Sequence, residues 1–181
     1  MEVETTNKGI SGWIQAIAIG RRPKRTMVRL GLLIGLGAIA ALIFNFVLLP
    51  VRITGPSMEP TYDNGSINFI NCLAYLRHEP QRGDVVGIRF SGNHTMLVKR
   101  IVGLPGETMQ FSHGKVLIDG QELVEPYLKL ANKFWDSPPK LLGPQEYYVV
   151  GDNRSMPIED HTKGAAERNR IVGKIWLRSA S

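Results

Sequence analysis

One serine in this chain sits where a hydroxyl would be held still. Gly55-Pro56-Ser57-Met58-Glu59-Pro60-Thr61 places Ser57 between two prolines with a glycine leading in. Proline fixes the backbone and glycine removes side-chain bulk, so the turn is rigid and approachable. Taken alone, the segment is explained equally well as a stiff turn. A second segment carries Lys99 inside an apolar strand pattern, Met96-Leu97-Val98-Lys99-Arg100-Ile101-Val102. A lysine in such a strand ordinarily points to solvent. If it is buried instead, desolvation disfavours its charge and lowers its pKa by up to roughly 3–5 units from about 10.4. A neutral amine beside Ser57 can take the hydroxyl proton and make the serine a nucleophile.

Other chemistries find less support. The histidines are His78, His94, His113 and His161, and none forms an H-x-x-x-H or H-E-x-x-H pair, so neither a metal nor a cofactor is expected. No G-x-S-x-G elbow surrounds any serine. Ser112-His113-Gly114-Lys115 matches S-x-x-K in form only, because it falls at a turn between strands. The single cysteine, Cys72, excludes an intrachain disulfide framework and reads as a packed small residue.

The elements that must position Ser57 and Lys99 follow from the distribution of apolar residues. The chain has 181 residues, 43% of them hydrophobic, and a net charge of +6. Leu30 to Leu49 holds no charge, and twenty helical residues span about 30 Å, the thickness of a bilayer core. A single transmembrane helix is expected over residues 28–50. The first 29 residues carry Lys8, Arg21, Arg22, Lys24, Arg25 and Arg29 against Glu2 and Glu4; the rest is nearly balanced. Positive flanks stay inside, which puts a basic tail (1–27) in the cytoplasm and residues 51–181 on the outer side. The stretch Gly9 to Gly20 is a candidate to lie along the inner surface, with a floppy tail the equal alternative. The basicity is therefore a topology signal, and no nucleic-acid partner is expected.

Residues 51–181 have β texture, with short apolar runs at Val85–Ile88, Met96–Val98, Lys115–Ile118, Tyr147–Val150 and Ile171–Leu177. Asp119-Gly120 reads as a tight hairpin turn, Asn71 to Arg77 as one helical turn at most, and Asn132 to Pro144 as loop.

Five ordered motifs then carry a resemblance. G-P-S-M-E-P-T, R-G-D-V-V (Arg82 to Val86), V-K-R-I-V-G-L-P-G-E (Val98 to Glu107), D-G-Q-E-L-V-E-P-Y-L (Asp119 to Leu128) and V-V-G-D-N-R (Val149 to Arg154) together resemble the type I signal peptidases. The resemblance implies a mainly β fold: an N-terminal transmembrane helix, then an antiparallel β-sheet catalytic domain with a small β insertion at about 107–144. It implies a serine endopeptidase that cleaves signal peptides from exported preproteins after an A-x-A pattern, through an acyl-enzyme. By the same resemblance Ser57 is the nucleophile and Lys99 the general base. Ile53, Met58, Leu97 and Val98 contact the substrate, Val149 and Val150 cover the lysine, and Asp152 and Arg100 form a supporting ion pair. The enzyme would be monomeric in the cytoplasmic membrane, with the bilayer and preproteins as partners. An apolar rim near Met58 and Phe69 would reach the membrane.

Three positions depart from the family pattern. Gly55 lacks the hydroxyl many members use as a second oxyanion donor, and Thr54 is the nearest substitute. Pro157 stands where a serine usually orients the lysine, which leaves Ser155 or a water for that role. The usual Asp–Arg salt bridge becomes Glu159 and His161. These changes motivate an alternative: an inactive or single-client membrane-tethered β domain that binds exported chains.

Overall fold

The structure, a computed structural model, describes residues 23–91 and 95–176. The basic tail up to residue 22, the Gly9–Gly20 stretch, His94 and Leu177 lie outside the described residues. Helix α1 runs from Pro23 to Phe46, with proline at a position where a missing N–H costs nothing. It is long and apolar enough to cross a membrane, and its side chains are exposed along nearly its whole length. It ends before the apolar run does. Leu48 and Leu49 instead begin strand β1 (Leu48–Arg52), which pairs antiparallel with β2 (Ile67–Asn71). Pro50 favours this switch, since it cannot continue a helix and an edge strand tolerates its lost donor. The helix through Ile43 and the body from Phe44 onward are separate units.

The body is mainly β. Its remaining strands are β3 (Val85–Ser91), β4 (Thr95–Gly103), β5 (Thr108–Ser112), β6 (Lys115–Ile118), β7 (Gln121–Glu122), β8 (Leu130–Ala131), β9 (Lys140–Leu141), β10 (Glu146–Val150), β11 (Asn153–Arg154), β12 (Gly164–Glu167) and β13 (Ile171–Ile175). Seven form one antiparallel sheet in the order β1-β2-β13-β3-β4-β10-β12. Four more form a second sheet, β7-β6-β5-β9, and β8 pairs in parallel with β11. The insertion expected from the family resemblance is thus a sheet of its own, tied back through β8.

Alternation along β4 sorts the core. Val98 packs with Ile53, Met58, Tyr62, Val85 and Ile70, while Ile101 packs with Val86, Ile88, Tyr147 and Val149. A third cluster, around Phe111, Trp135, Val102 and Val150, joins the insertion to the main sheet. Trp135 and Leu142 are buried there although the surrounding segment reads as loop in sequence. The Trp135 indole stands edge-on to Phe111 (5.2 Å between centroids) and donates to Met156 O at 2.8 Å. Asn71 to Arg77 forms turns rather than a helix, with Ala74 N–H donating to Asn71 O.

Asp119 and Gly120 make the β6–β7 turn, with φ of 50° and 79° pairing Ile118 with Gln121. Two positive φ values in a two-residue loop match the twist of the strands. Gly120→Val, which forces a branched side chain into that left-handed position, is expected to destabilise the body by about 1–2 kcal/mol. A lower urea midpoint reads this out; an unchanged one would mean the turn tolerates other geometries.

Candidate active site

Strand β4 delivers Lys99 from the middle of the main sheet. The side chain is 3% exposed, and its Nζ lies 2.7 Å from Ser57 Oγ. Ile88, Leu97, Val149, Ala165 and Ala166 line the cleft that holds it. A β-bulge at Tyr148/Val149, on the strand facing Ile101 and Arg100, shifts the register beside the lysine. Burial lowers the lysine pKa from 10.5 to about 8, against an opposing pull from the Asp152 carboxylate. An amine held this way is half uncharged at about pH 8 and lies within reach of a hydroxyl proton.

Ser57 sits in the short 3-10 turn Pro56–Met58. Asn153 Nδ2 donates to Pro56 O at 3.1 Å, fastening the turn to the 151–154 segment. Gly151 permits the close approach: a methyl group there would lie 2.1 Å from Ser57 O. Below it, Asp152 is fully buried and bidentate with Arg100, at 2.8 Å from Nε and 2.5 Å from Nη2. Thr61 Oγ1 donates to the same carboxylate at 2.5 Å, and the Arg100 guanidinium stacks 3.8 Å over the Tyr127 ring. Tyr127 and Glu125, whose carboxylate pairs with the buried Arg154 of β11, come from the chain leading to β8, so the insertion braces this turn. That brace is not legible in the motifs taken singly.

The other residues singled out in sequence fall in several places. Leu97 is half-buried beside Lys99, Ile53 and Val98 are almost enclosed, and Met58 is fully enclosed. Met58 therefore forms no exposed rim; Phe69 is half-buried with its ring 6.1 Å from Phe44. Val149 lines the lysine cleft, whereas Val150 points to the opposite face and packs in the Phe111–Trp135 cluster. Ser112 and Lys115 face each other across the β5–β6 hairpin, where Lys115 pairs with Glu122.

At the departures, Pro157 is an exposed turn residue whose carbonyl accepts from Asp160 N–H. Ser155 is exposed and its hydroxyl donates to Asn153 Oδ1 at 2.7 Å, so it does not reach the lysine. Glu159 is exposed while His161 is buried, and no ion pair joins them. Gly55 N–H is taken by Asn64 Oδ1 at 3.0 Å. Among the described residues no group of His, Cys, Asp and Glu is placed to hold a metal ion.

The edge of β4 beside the pair is open. Leu97 and Val98 pair with Ile88 and Gly87 on β3, but β10 pairs only from Arg100 onward. An extended peptide could add there through main-chain hydrogen bonds.

Because the folded state releases the Lys99 proton first, the unfolded chain holds more protons between about pH 8 and the ordinary 10.5. This group's contribution to stability therefore rises with pH through that window. Below it, folding a charged amine into this cleft is unfavourable. Lys99→Met is expected to raise the free energy of urea unfolding at pH 6, by up to about 3 kcal/mol, and the midpoint with it. An equal or lower midpoint would mean the amine is hydrated.

The family described as "Signal peptidase, peptidase S26" matches residues 25–179. A probable signal peptidase I-2 of Synechocystis sp. is 31% identical over 163 residues, covering 86% of this chain and 74% of the relative. Signal peptidase I of Bacillus amyloliquefaciens is 35% identical over 146 residues, covering 75% and 76%. Signal peptidase I T of Bacillus subtilis is 35% identical over 145 residues, covering 75% of each. With a match over most of its length and relatives above 30% identity, the chain belongs to the signal peptidase family, peptidase S26.

Proposed function

We propose that this protein is a membrane-anchored serine endopeptidase that removes signal peptides from exported preproteins, with Ser57 as nucleophile and Lys99 as general base. The observation that carries the reading is the 2.7 Å contact between a hydroxyl and a buried amine whose pKa is brought down to about 8. Lys99 takes the serine proton as Oγ attacks the scissile carbonyl. It returns that proton to the leaving amine, giving an acyl-enzyme. It then takes a proton from the water that hydrolyses the ester. In this reading the Ser57 main-chain N–H, at the start of its 3-10 turn, donates to the developing oxyanion.

The signal peptide binds extended along the open edge at Leu97 and Val98. Ile53, Leu97 and Val98 shape shallow pockets for small residues, and Met58 supports them from beneath. A-x-A sequences fit because little space remains beside such enclosed side chains. Helix α1 anchors the body, and the basic residues ahead of it keep the N-terminus inside. Residues 51–181 then work as a single copy on the outer side. Pro157 and His161 leave the Ser57–Lys99 contact intact, which favours an active enzyme over an inactive tether.

In detergent, Ser57→Ala, Lys99→Ala and Lys99→Arg are each expected to abolish cleavage of a preprotein whose signal ends in A-x-A. The rate should rise with pH through a midpoint near 8, because only the unprotonated amine is a base. Full activity in Lys99→Ala, or a rate flat from pH 6 to 10, would contradict the proposal.

A further inference from the structure

His161 is the one residue among those described whose buried side-chain nitrogens lack any hydrogen-bond partner, and both ring nitrogens are affected. It is 4% exposed. Its ring stands edge-on to Trp135, centroids 5.1 Å apart at 74°. A methyl group on Gly151 would lie 2.8 Å from His161 Cε1, 2.9 Å from Nε2 and 2.1 Å from Ser57 O. The imidazole and the main chain of the nucleophile therefore meet over the same bare glycine. Buried polar groups without partners are rare, so this one calls for a reason.

Burial, then the nearby Lys99 and Arg154 charges, push the ring's pKa down to about 4. The main chain of Asn153 and Thr162 pulls the other way without reaching hydrogen-bond geometry. Lys163 lies 5.8 Å over the Trp135 ring, with the Glu159 carboxylate near enough to act on it. At any pH where the lysine is neutral, His161 is neutral too. It then offers one acceptor nitrogen and one N–H donor. Lys99 has the complementary need. Its amine has one partner among the described residues, Ser57 Oγ. A base must turn its lone pair to the serine proton, so its own N–H groups must be held elsewhere. Pro157 has no side chain that can do this, and the Ser155 hydroxyl is spent on Asn153.

We propose that His161 is a positioning residue for the Ser57–Lys99 pair: its unprotonated ring nitrogen accepts from a water that in turn accepts an N–H of the lysine amine, and so turns the lone pair toward Ser57. The role rests on the dyad reading above. His161 neither gains nor loses a proton during the reaction.

The full chain in detergent, cleaving an A-x-A preprotein, tests this with His161→Phe and His161→Gln beside Ser57→Ala and Lys99→Ala. Phenylalanine keeps a ring against Trp135 and Gly151 but has no nitrogen; glutamine returns an acceptor oxygen. His161→Phe is expected to lose about 10- to 100-fold in kcat with KM unchanged, as small misplacements of reacting groups do. Its pH midpoint should fall, because a hydrogen bond that favours the charged amine is gone. Its thermal stability should be equal or higher, and His161→Gln should recover most of the rate. Wild-type kcat and pH midpoint in His161→Phe would overturn the inference. So would equal losses in both variants that track lost thermal stability. In either case inactive Ser57→Ala and Lys99→Ala would leave the dyad standing. If those two variants cleave like wild type, the dyad fails and this inference with it. Should His161→Phe not fold, His161→Met, equally without nitrogen, decides on the same readouts.

Discussion

A lysine amine resists leaving water unless it gives up its charge, and here it has left water: Lys99 is 3% exposed with its Nζ 2.7 Å from Ser57 Oγ. That contact constrains everything around it. A charged ammonium could not serve as a base, and a neutral amine in solvent would exist only at high pH. Burial resolves both problems together. The Asp152 carboxylate works against it by favouring the charged form. Arg100 limits that pull by taking both oxygens of Asp152, and Thr61 adds a third bond. The ion pair thus supports the turn carrying Ser57 without recharging the amine.

The fold meets this demand with ordinary β geometry. Alternation on β4 sends Lys99 to one face and Arg100 to the other, so in the proposed mechanism adjacent residues serve the reaction and its scaffold. The bulge on β10 and the bare backbone of Gly151 let the serine turn approach within van der Waals range. The insertion contributes Tyr127 against Arg100 and Glu125 against Arg154, which makes a distant sheet part of the support for the 151–154 segment. The proposed substrate access uses an incompleteness of the sheet: β10 stops pairing at Arg100, leaving the strand edge beside Leu97 and Val98 open.

Much of this was legible in the sequence, and the parts that were not share a cause. Apolar runs broken by Gly and Pro located β3, β4, β6 and β10, because strand residues are set locally. Asp119-Gly120 announced its own hairpin. The Ser57 and Lys99 segments were each ambiguous alone and became specific only as ordered motifs. The helix end could not be read from hydropathy, since Leu48 and Leu49 are as apolar as the helix and only pairing with β2 claims them. Trp135 looked like part of a loop because its burial depends on Phe111 and Met156, both far along the chain. Met58 followed Ser57 in a site motif, yet it is enclosed by residues from other strands. His161 stood in a family salt-bridge position; that it is buried beside Gly151 without Glu159 is a fact of packing alone.

The most direct measurement is the titration of the Lys99 side chain itself. Nitrogen-15 lysine NMR of the detergent-solubilised protein, with the signal assigned by its loss in Lys99→Arg, follows one amine through its proton release. A midpoint near pH 8 is the expected result. A midpoint at the ordinary 10.5 would place the amine in water and remove the base from the site.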